Sequence, residues 1–464
     1  MKIALIKPPA TYADWYKQPA LGIAYISACI ESKGFDCKIF DAYFNSWSQA
    51  TVIQRVKDYN PDVIGITAMT HEIAQASQIA SKLKTLINAP IVVGGCHITA
   101  LPGRTLTEFP VFDYGIYGEG EQTTIELFEY IRQKGTKLPL NNIKGLVFRD
   151  KGQIVVNQPR RFMCEVELDA LPLPAYYQYF PDNSQALVNK DSYYAILASR
   201  GCPYNCAFCM RVLGRKVRRR GADSILHEME YAIEHYGAHT FDFFDEIFLF
   251  DNQQTRDLLR AFIQRDFPHR VRWKALTRAD FVNPELISLA KEAGCFHLAM
   301  GVESGDDEIL KAIGKGITVS QVKRAVKIIK EAGISLCAYY ILGHPNETIE
   351  TLRKTVNLAV ELNTDSIAVG LMVPYPGTRI FDMALRGENH LRLLSRDWAE
   401  YDKYGGKVLE IDGLSYRQLV KWQKRTLLNL YLKNFRFFDC LKFFWKKRRA
   451  VYVILKKEFR KRRT

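Results

Sequence analysis

The sequence lacks long apolar runs, low-complexity tracts and internal repeats. No apolar stretch approaches the roughly 18 residues that predict a membrane span, and the run before Lys7 and Pro8 is too short for the apolar core of a signal peptide. Ten cysteines in 464 residues are scattered except for one group of three, unlike a secreted disulfide framework. The composition therefore predicts a reduced, cytoplasmic, globular protein.

The net charge of +15 is concentrated at the C-terminus. Residues 441–464 contain eleven Lys and Arg and a single acid, Glu458. The same segment carries five aromatic residues: Phe443, Phe444, Trp445, Tyr452 and Phe459. This composition suits the interface of an anionic membrane, and it suits a solvated basic helix equally well. We expect peripheral attachment to the inner face of the membrane, which would give access to an apolar substrate.

Residues 1–135 alternate short apolar runs with amphipathic helical patterns. This alternation predicts five strands with intervening helices in a doubly wound, flavodoxin-like parallel sheet of an α/β protein. Ligands of such sheets bind at the carboxyl ends of the strands. Four segments are predicted at that edge: "KPPATY", "TAMTHE", "GGCHITALP" and "GEGEQT".

The rest of the chain divides into three further segments. Residues 136–185 form a connector with a predicted hairpin, "KGLVFRDKGQIVVNQP", and a Pro-rich link, "DALPLPAYYQYFP". Residues 186–385 show six more strands, of which the first five are each followed by a helix, and this predicts a partial (β/α)6 TIM-like barrel with an open seam for substrate. Beyond residue 385 the strand pattern ends, and residues 386–464 are predicted to be a separate helical, basic tail.

Cys202, Cys206 and Cys209 lie close together in "SRGCPYNCAFCM". Three thiolates on one short loop can bind three irons of a four-iron cluster, which leaves the fourth iron open for a small molecule. A structural zinc site would need a fourth Cys or His. No nearby Cys or His supplies this fourth ligand, although the spacing alone does not exclude a zinc site.

The CxxxCxxC spacing directly after the first barrel strand, with Phe208 inside the loop, resembles the radical S-adenosylmethionine (SAM) superfamily. The resemblance implies that the open iron is chelated by the methionyl amine and carboxylate of SAM. It also implies cofactor contacts at the ends of later strands: Asp245 and Glu246 at the methionyl amine, Glu303 and Ser304 at the ribose, and Gly343 and Glu347 at the adenine.

The chemistry implied by the resemblance begins with one-electron reduction of SAM by the cluster, supplied by a donor such as flavodoxin or ferredoxin. Methionine leaves, and a 5'-deoxyadenosyl radical abstracts an unactivated hydrogen atom. The protein orients the substrate and excludes water. Only Cys295, Cys337 and Cys440 follow the trio, which argues against the peptide-maturing branch with its auxiliary clusters.

An open sheet before such a barrel resembles the class with an N-terminal cobalamin-binding-type domain, which includes methyltransferases and the anaerobic oxidative cyclase of chlorophyll biosynthesis. The segments "VVGGCH", "GEGEQT" and "LPLPA" carry this resemblance, which spans roughly residues 1–385. Gly94 and Gly95 would let the backbone approach a nucleotide tail, and His71 and His97 are candidate pocket residues. The Asp-x-His-x-x-Gly motif is absent, so a bound cobalt would lack that ligand, and a cobalamin-free scaffold domain is an alternative.

The sequence therefore predicts cobalamin-dependent methylation of an unactivated carbon in a biosynthetic intermediate such as a lipid or tetrapyrrole. Oxidative cyclisation or carbon–carbon coupling without methyl transfer, with or without cobalamin, is the alternative. A zinc-stabilised nucleic-acid-binding protein is the remote alternative. RNA-methylthiolating members of the superfamily carry a second cysteine trio, and Cys29, Cys37 and Cys96 are too scattered to supply one, so nucleic acid is not the expected partner.

Overall fold

The computed structural model describes residues 1–11, 17–135, 139–180, 187, 192–403 and 406–446. Tyr452 and Phe459 of the predicted membrane-binding tail lie outside the described residues.

A seven-stranded sheet forms the centre of the first domain. Its strands are β1 Lys2–Lys7, β2 Asp36–Asp41, β3 Val63–Thr67, β4 Ile91–Gly94, β5 Tyr114–Ile116, β6 Leu146–Asp150 and β7 Gln153–Val156. The order is β2-β1-β3-β4-β5-β6-β7, and the first five strands are parallel, as predicted. The hairpin β6–β7, which the sequence placed in a connector, continues the same sheet in antiparallel pairing.

Helices cover both faces of this sheet. They are α1 Leu21–Glu31, α2 Gln49–Tyr59, α3 Ile73–Lys84, α4 Cys96–Ala100, α5 Pro102–Glu108 and α6 Glu121–Arg132. Side chains of β1 alternate between two cores: Ile3 and Leu5 pack on one face, and Ala4 and Ile6 on the other. Because both faces are buried, the parallel strands read as apolar runs in the sequence.

The Pro-rich link joins the two domains by direct contacts. It follows the short helix α7, Glu165–Asp169. The Ala175 N–H donates to the Ala24 carbonyl oxygen of α1 at 3.1 Å, and the Tyr176 hydroxyl donates to the Ala195 carbonyl oxygen at 2.9 Å. The link therefore fixes α1 of the first domain against the first strand of the second.

The second domain is built on a six-stranded parallel sheet with two small strands beside it. The strands are β8 Tyr194–Ile196, β9 Ser199–Arg200, β10 Arg218–Arg219, β11 Thr240–Phe243, β12 Arg272–Thr277, β13 Cys295–Glu303, β14 Ser335–Leu342 and β15 Ser366–Leu371. The main sheet has the order β15-β14-β13-β12-β11-β8 and is parallel throughout. This is the predicted partial barrel, with β8 and β15 at its edges.

Eight helices pack against the outside of this sheet among the described residues. They are α8 Ala222–Tyr236, α9 Gln253–Gln264, α10 Phe267–Arg270, α11 Pro284–Glu292, α12 Asp307–Ala312, α13 Val319–Glu331, α14 Ile349–Leu362 and α15 Arg379–Arg386. Their apolar faces and the strands share one large core. Trp273 lies fully buried in it and donates through Nε1 to the Ala293 carbonyl oxygen at 2.7 Å.

The region after residue 385 differs from its prediction. It begins with an antiparallel pair, β16 Leu391–Leu393 and β17 Leu409–Ile411, and ends with the predicted helices, α16 Tyr416–Lys433 and α17 Phe437–Lys446. Three-residue strands are too short for periodicity to detect. Trp398 between them packs into the core of the first domain, and Leu419 and Leu430 of α16 pack into the core of the barrel, so the expectation of a separate tail is wrong from β16 to α16. No helix in the described part of the chain is both long and apolar enough to cross a membrane.

Candidate cluster and cofactor site

The three clustered cysteines lie on a loop whose two ends meet just beyond β8. β9 and β10 pair in antiparallel fashion and close the base of this loop, residues 201–217. Gly201 begins the loop with a φ of +98°, and a Cβ there would lie 2.3 Å from the Lys216 carbonyl oxygen. Only glycine permits this approach, so Gly201 allows the two ends of the loop to close.

Backbone hydrogen bonds fix the inside of the cysteine loop. The Cys202 N–H donates to the Gly214 carbonyl oxygen at 3.1 Å. The Ala207 N–H donates to the Ile313 carbonyl oxygen at 2.8 Å, and the Ala207 carbonyl oxygen accepts from the Ile380 N–H at 3.1 Å. The barrel therefore holds the loop from two sides, which positions the thiols relative to the strand ends.

Burial opposes ionisation of two of the three free thiols, those of Cys202 and Cys209. It raises the pKa of Cys202, and it raises the pKa of Cys209 to about 11 with further contributions from Cys206 and Cys202. A bound metal deprotonates its thiol ligands, so these thiols suit a metal-bound state. No three His, Cys, Asp or Glu side chains of the described residues are placed to hold one metal ion. Each thiolate of a four-iron cluster binds a different iron, so its ligands need not converge as those of zinc do.

Asp245 and Glu246, at the end of the second barrel strand, have different surroundings. Asp245 is buried and accepts hydrogen bonds from the Ser199 hydroxyl at 2.5 Å and the Ala198 N–H at 3.0 Å. Burial raises its pKa to about 6. Glu246 accepts from the Gly201 N–H at 3.3 Å at the start of the cysteine loop. Asp245 therefore holds the segment that leads into the cysteine loop. Glu246 is the carboxylate that lies beside the start of the loop.

Glu303 ends β13 in a left-handed conformation with a φ of 67°. A residue other than glycine is strained there, and such strain is common at functional sites. Its Oε1 accepts from the Lys315 Nζ at 2.8 Å, and both side chains are nearly buried. A Cβ at Gly301 would lie 2.2 Å from the same oxygen, so Gly301 leaves room for this pair. Ser304 is fully buried and accepts from the Asp306 N–H at 3.3 Å.

Gly343 and Glu347 form the turn after β14. The Gly343 and His344 N–H groups donate to Glu347 Oε2 at 2.5 and 3.2 Å. The other carboxyl oxygen, Oε1, is buried without a hydrogen-bond partner among the described residues. The ring centre of Phe208 on the cysteine loop lies 6.3 Å from that of His344. The cysteine loop and this turn are therefore neighbours.

Glu347 should make stability depend on pH. Burial raises its pKa to about 8 from an ordinary value of 4.5, so the folded state keeps a proton that the unfolded chain loses between these values. The free energy of unfolding should therefore fall as the pH rises from about 5 to about 8. We expect Glu347→Gln, which keeps the shape and removes the titration, to lose less stability over that window in urea unfolding.

The matched control for this prediction is Glu350→Gln, which changes an exposed glutamate on the adjoining turn of α14. It should keep the pH dependence of the wild type. If the free energy of unfolding fell equally steeply with pH in Glu347→Gln and in the wild type, the raised pKa of Glu347 would be contradicted.

At the carboxyl edge of the first sheet, two glycines have open space beside their backbone. A Cβ at Gly94, which ends β4, or at Gly118, which follows β5, would meet no other heavy atom within 4 Å. Gly95 has a φ of +100°, and its Cβ would lie 2.7 Å from the Ala68 carbonyl oxygen. Gly95 therefore permits close packing of two turns, and Gly94 and Gly118 leave open space beside the backbone.

The two histidines near this edge are both buried. Burial lowers the pKa of His97 to about 4 and lowers the pKa of His71. The His97 ring packs edge-on against Trp398 at 5.1 Å and lies 6.4 Å from the Phe109 ring. The structure thus gives His97 a packing contact with the segment between β16 and β17, which the sequence did not predict.

Glu119 and Glu121 of "GEGEQT" join the first domain to the base of the cysteine loop. Glu119 Oε1 accepts from Arg218 Nη1 at 2.8 Å and from Arg200 Nη1 at 3.2 Å, and Glu121 Oε1 accepts from Arg200 Nη2 at 2.6 Å. All four side chains are at most 8% exposed. We call these four residues the interdomain ion cluster. It holds the base strands β9 and β10 through buried charge.

Sequence reasoning missed several residues that the fold brings to the site. Lys315 lies in the turn between α12 and α13, and no short-range signal links it to Glu303. His344 lies inside a recognised motif, next to Gly343, and could have been found there. The arginines of the interdomain ion cluster flank the cysteine trio, but their partners are distant in sequence.

Two family models match the chain. The radical SAM superfamily model matches residues 196–359, and the B12 binding domain model matches residues 15–128. The solved structure of the radical S-adenosylmethionine methyltransferase TsrM from Kitasatospora setae superposes with a TM-score of 0.71, over 93% of this chain and 88% of that chain, at 20% identity. This likeness shows that the two proteins share a fold.

Curated relatives match most of the chain. The uncharacterized methyltransferase PH0819 of Pyrococcus horikoshii is 30% identical over 440 residues, 93% of each chain. The anaerobic magnesium-protoporphyrin IX monomethyl ester cyclase of Cereibacter sphaeroides is 27% identical over 377 residues, 78% of this chain and 60% of the cyclase. The fold and the site define a radical SAM enzyme. The chain belongs to the radical SAM superfamily, in the class with an N-terminal B12 binding domain.

Family membership confirms the predicted cofactors, a [4Fe–4S] cluster, SAM and cobalamin. The described residues fit them: the cysteine loop offers three thiols, and the edge of the first sheet offers open backbone at Gly94 and Gly118. The assignment replaces the alternative of a zinc-stabilised nucleic-acid-binding protein.

Proposed function

We propose that this enzyme methylates an unactivated carbon of a lipid or tetrapyrrole. The observation that carries the proposal is the interdomain ion cluster, because it fixes the B12-binding domain to the base of the cysteine loop. A methyl carrier and a radical generator must act on one substrate, and this requires two cofactor edges at a constant spacing. The methyltransferase relative supports the reaction, and the cyclase relative, named for a tetrapyrrole ester, supports that substrate class.

The chain's own residues would bind and orient the cofactors. When bound, the cluster supplies an electron to SAM and the corrin carries the methyl group. Cys202, Cys206 and Cys209 would bind three irons, and Phe208 packs near His344 of the neighbouring turn. Lys315 places positive charge near Cys209, where it lowers the pKa of the thiol against the dominant effect of burial.

The remaining contacts are proposed from position and bonding. Glu246 would accept from the methionyl amine, and Glu303 would face the ribose. The Gly343 backbone would line the adenine side, where the protonated, unpartnered oxygen of Glu347 can donate a hydrogen bond. Asp245 already accepts from the Ala198 N–H and Ser304 from the Asp306 N–H, so we assign them a positioning role.

The first domain would hold the corrin by its backbone. Gly94 would let the nucleotide tail approach, Gly95 would keep the neighbouring turn close, and His97 would support the edge through its contact with Trp398. His97 is neutral and enclosed, so we assign it no bond to cobalt.

The test follows from the coproducts. Methyl transfer from SAM leaves S-adenosylhomocysteine, and hydrogen abstraction leaves 5'-deoxyadenosine and methionine. The enzyme would be reconstituted without oxygen with iron, sulfide and hydroxocobalamin, passed through gel filtration, and supplied with trideuteromethyl-SAM. Extracted polar lipids and magnesium-protoporphyrin IX monomethyl ester would serve as substrate probes. Bound corrin, both coproducts and a trideuteromethyl group in a probe would support the proposal.

Oxidative cyclisation without methyl transfer is the second candidate, and the cyclase relative favours it. It predicts 5'-deoxyadenosine without S-adenosylhomocysteine and no deuterium in the product. Absence of co-eluting corrin in the same experiment would make the first domain a scaffold and would contradict the methylation proposal.

We further propose two partners. Reduction of the cluster needs a low-potential donor such as flavodoxin or ferredoxin. The basic C-terminal residues would attach the enzyme to an anionic membrane surface.

A further inference from the structure

The C-terminal end of the described chain carries an apolar surface exposed to solvent. Four large side chains on or just before α17 form this surface, which we call the apolar patch: Phe435 is 82% exposed, Phe438 88%, Leu441 66% and Trp445 70%. The last three are spaced three and four residues apart, so they share one face of the helix. Exposed large apolar side chains in the first two domains are instead spread between residues 69 and 385.

The apolar patch lies at the edge of the barrel where the strands begin. Arg436 donates to the carbonyl oxygens of Thr364 and Asp365, both at 2.7 Å, in the turn before β15. The cysteine loop, Glu303 and Gly343 lie at the opposite edge, where parallel strands end. The six residues of β15 separate the two edges by about 20 Å at a rise of 3.3 Å per residue.

We propose that the apolar patch docks on an anionic phospholipid bilayer. The sequence continues from α17 into residues 447–464, where nine Lys and Arg accompany one acid, Glu458. Apolar side chains on one face enter the headgroup boundary while neighbouring cations bind acidic headgroups. A single-stranded nucleic acid would use aromatic stacking and charge, and the aliphatic Leu441 in the centre of the stripe favours lipid.

Docking in this way sets the orientation of the enzyme. The cofactor edge faces the aqueous side, where SAM and an electron donor reach it freely. A lipid-like substrate has to be lifted from the bilayer to reach the site. The inference rests on the membrane attachment proposed above and is independent of the reaction.

The experiment is sedimentation of the full-length reconstituted enzyme with vesicles. One set contains phosphatidylcholine alone and the other an equal mixture with phosphatidylglycerol. We expect the wild type to bind the mixed vesicles and the double variant Phe438→Glu/Leu441→Glu to bind them roughly tenfold more weakly, since its apolar contacts are lost. Val166→Glu changes an equally exposed side chain, 76% accessible on α7, and should bind as the wild type does.

Equal binding by the double variant and the wild type would overturn the proposal, as would failure of the wild type to bind mixed vesicles. Tighter binding to labelled single-stranded RNA than to vesicles would assign the surface to nucleic acid and would also overturn it. In vesicle-free buffer the double variant should cleave SAM at the wild-type rate. Neither vesicle binding nor SAM cleavage depends on methyl transfer, so failure of docking is distinguishable from failure of the proposed methylation.

Discussion

Cys206→Ala should bind far less iron than the wild type after anaerobic reconstitution and should form no detectable 5'-deoxyadenosine. The cysteine loop holds three thiols, and two thiolates leave a second iron without a protein ligand. The thiol of Cys206 is only partly buried, and the Cys206 carbonyl oxygen, which accepts from the Cys209 N–H at 3.2 Å, is kept in alanine, so the fold should survive loss of the thiol. Iron and sulfide analysis, circular dichroism and quantification of 5'-deoxyadenosine would check all three points.

The control for this prediction is Cys164→Ala, which removes an exposed thiol outside the loop. It should retain iron and SAM cleavage. Unchanged iron content and 5'-deoxyadenosine formation in Cys206→Ala would refute the assignment of the loop as the cluster site.

Glu119→Gln should lower the free energy of unfolding by about 3 kcal/mol, because removal of one charge from a buried ion cluster leaves an uncompensated charge inside the protein. Glu119 accepts hydrogen bonds from Arg200, Arg218 and the Met163 N–H. Glu119 therefore bonds to β9, to β10 and to the connector at Met163. Urea unfolding of the variant beside the wild type measures the effect.

Glu361→Gln is the matched control, because Glu361 makes an ion pair with Lys323 in which both side chains are about half exposed. Such a surface pair contributes roughly 0–1 kcal/mol, so this substitution should have little effect. If the two substitutions cost the same stability, the interdomain ion cluster does not hold the domains as described.

The strand pattern of both sheets could be predicted from the sequence because buried parallel strands read as separate apolar runs. The short strands β16 and β17 could not, since three residues contain no measurable period. The hairpin β6–β7 was recognised as a hairpin, but its place in the first sheet depends on pairing between Tyr114 and Phe148. The pairing of β6 with β5 is decided by the tertiary structure and not by the local sequence.

The cysteine trio could be predicted because its ligands are contiguous in sequence. The Glu303–Lys315 pair and the interdomain ion cluster could not, because their members meet only after the fold forms; Glu119 and Arg218 are 99 residues apart. Asp245 and Glu246 show a further limit of sequence patterns. Adjacent residues at a strand end point in opposite directions, so their order alone does not tell which carboxylate lies beside the cysteine loop.

Trp398 has a consequence for how the two domains can move. Its Nε1 donates to Glu108 Oε2 at 2.6 Å, and the Arg104 guanidinium lies 5.1 Å from its ring centre. The chain that leaves the barrel thus returns to the domain where it began, so the first domain is tethered both before and after the barrel. A body held at two separated points can rotate only about the line that joins them. Opening of the two domains about any other axis would have to break one of the two tethers.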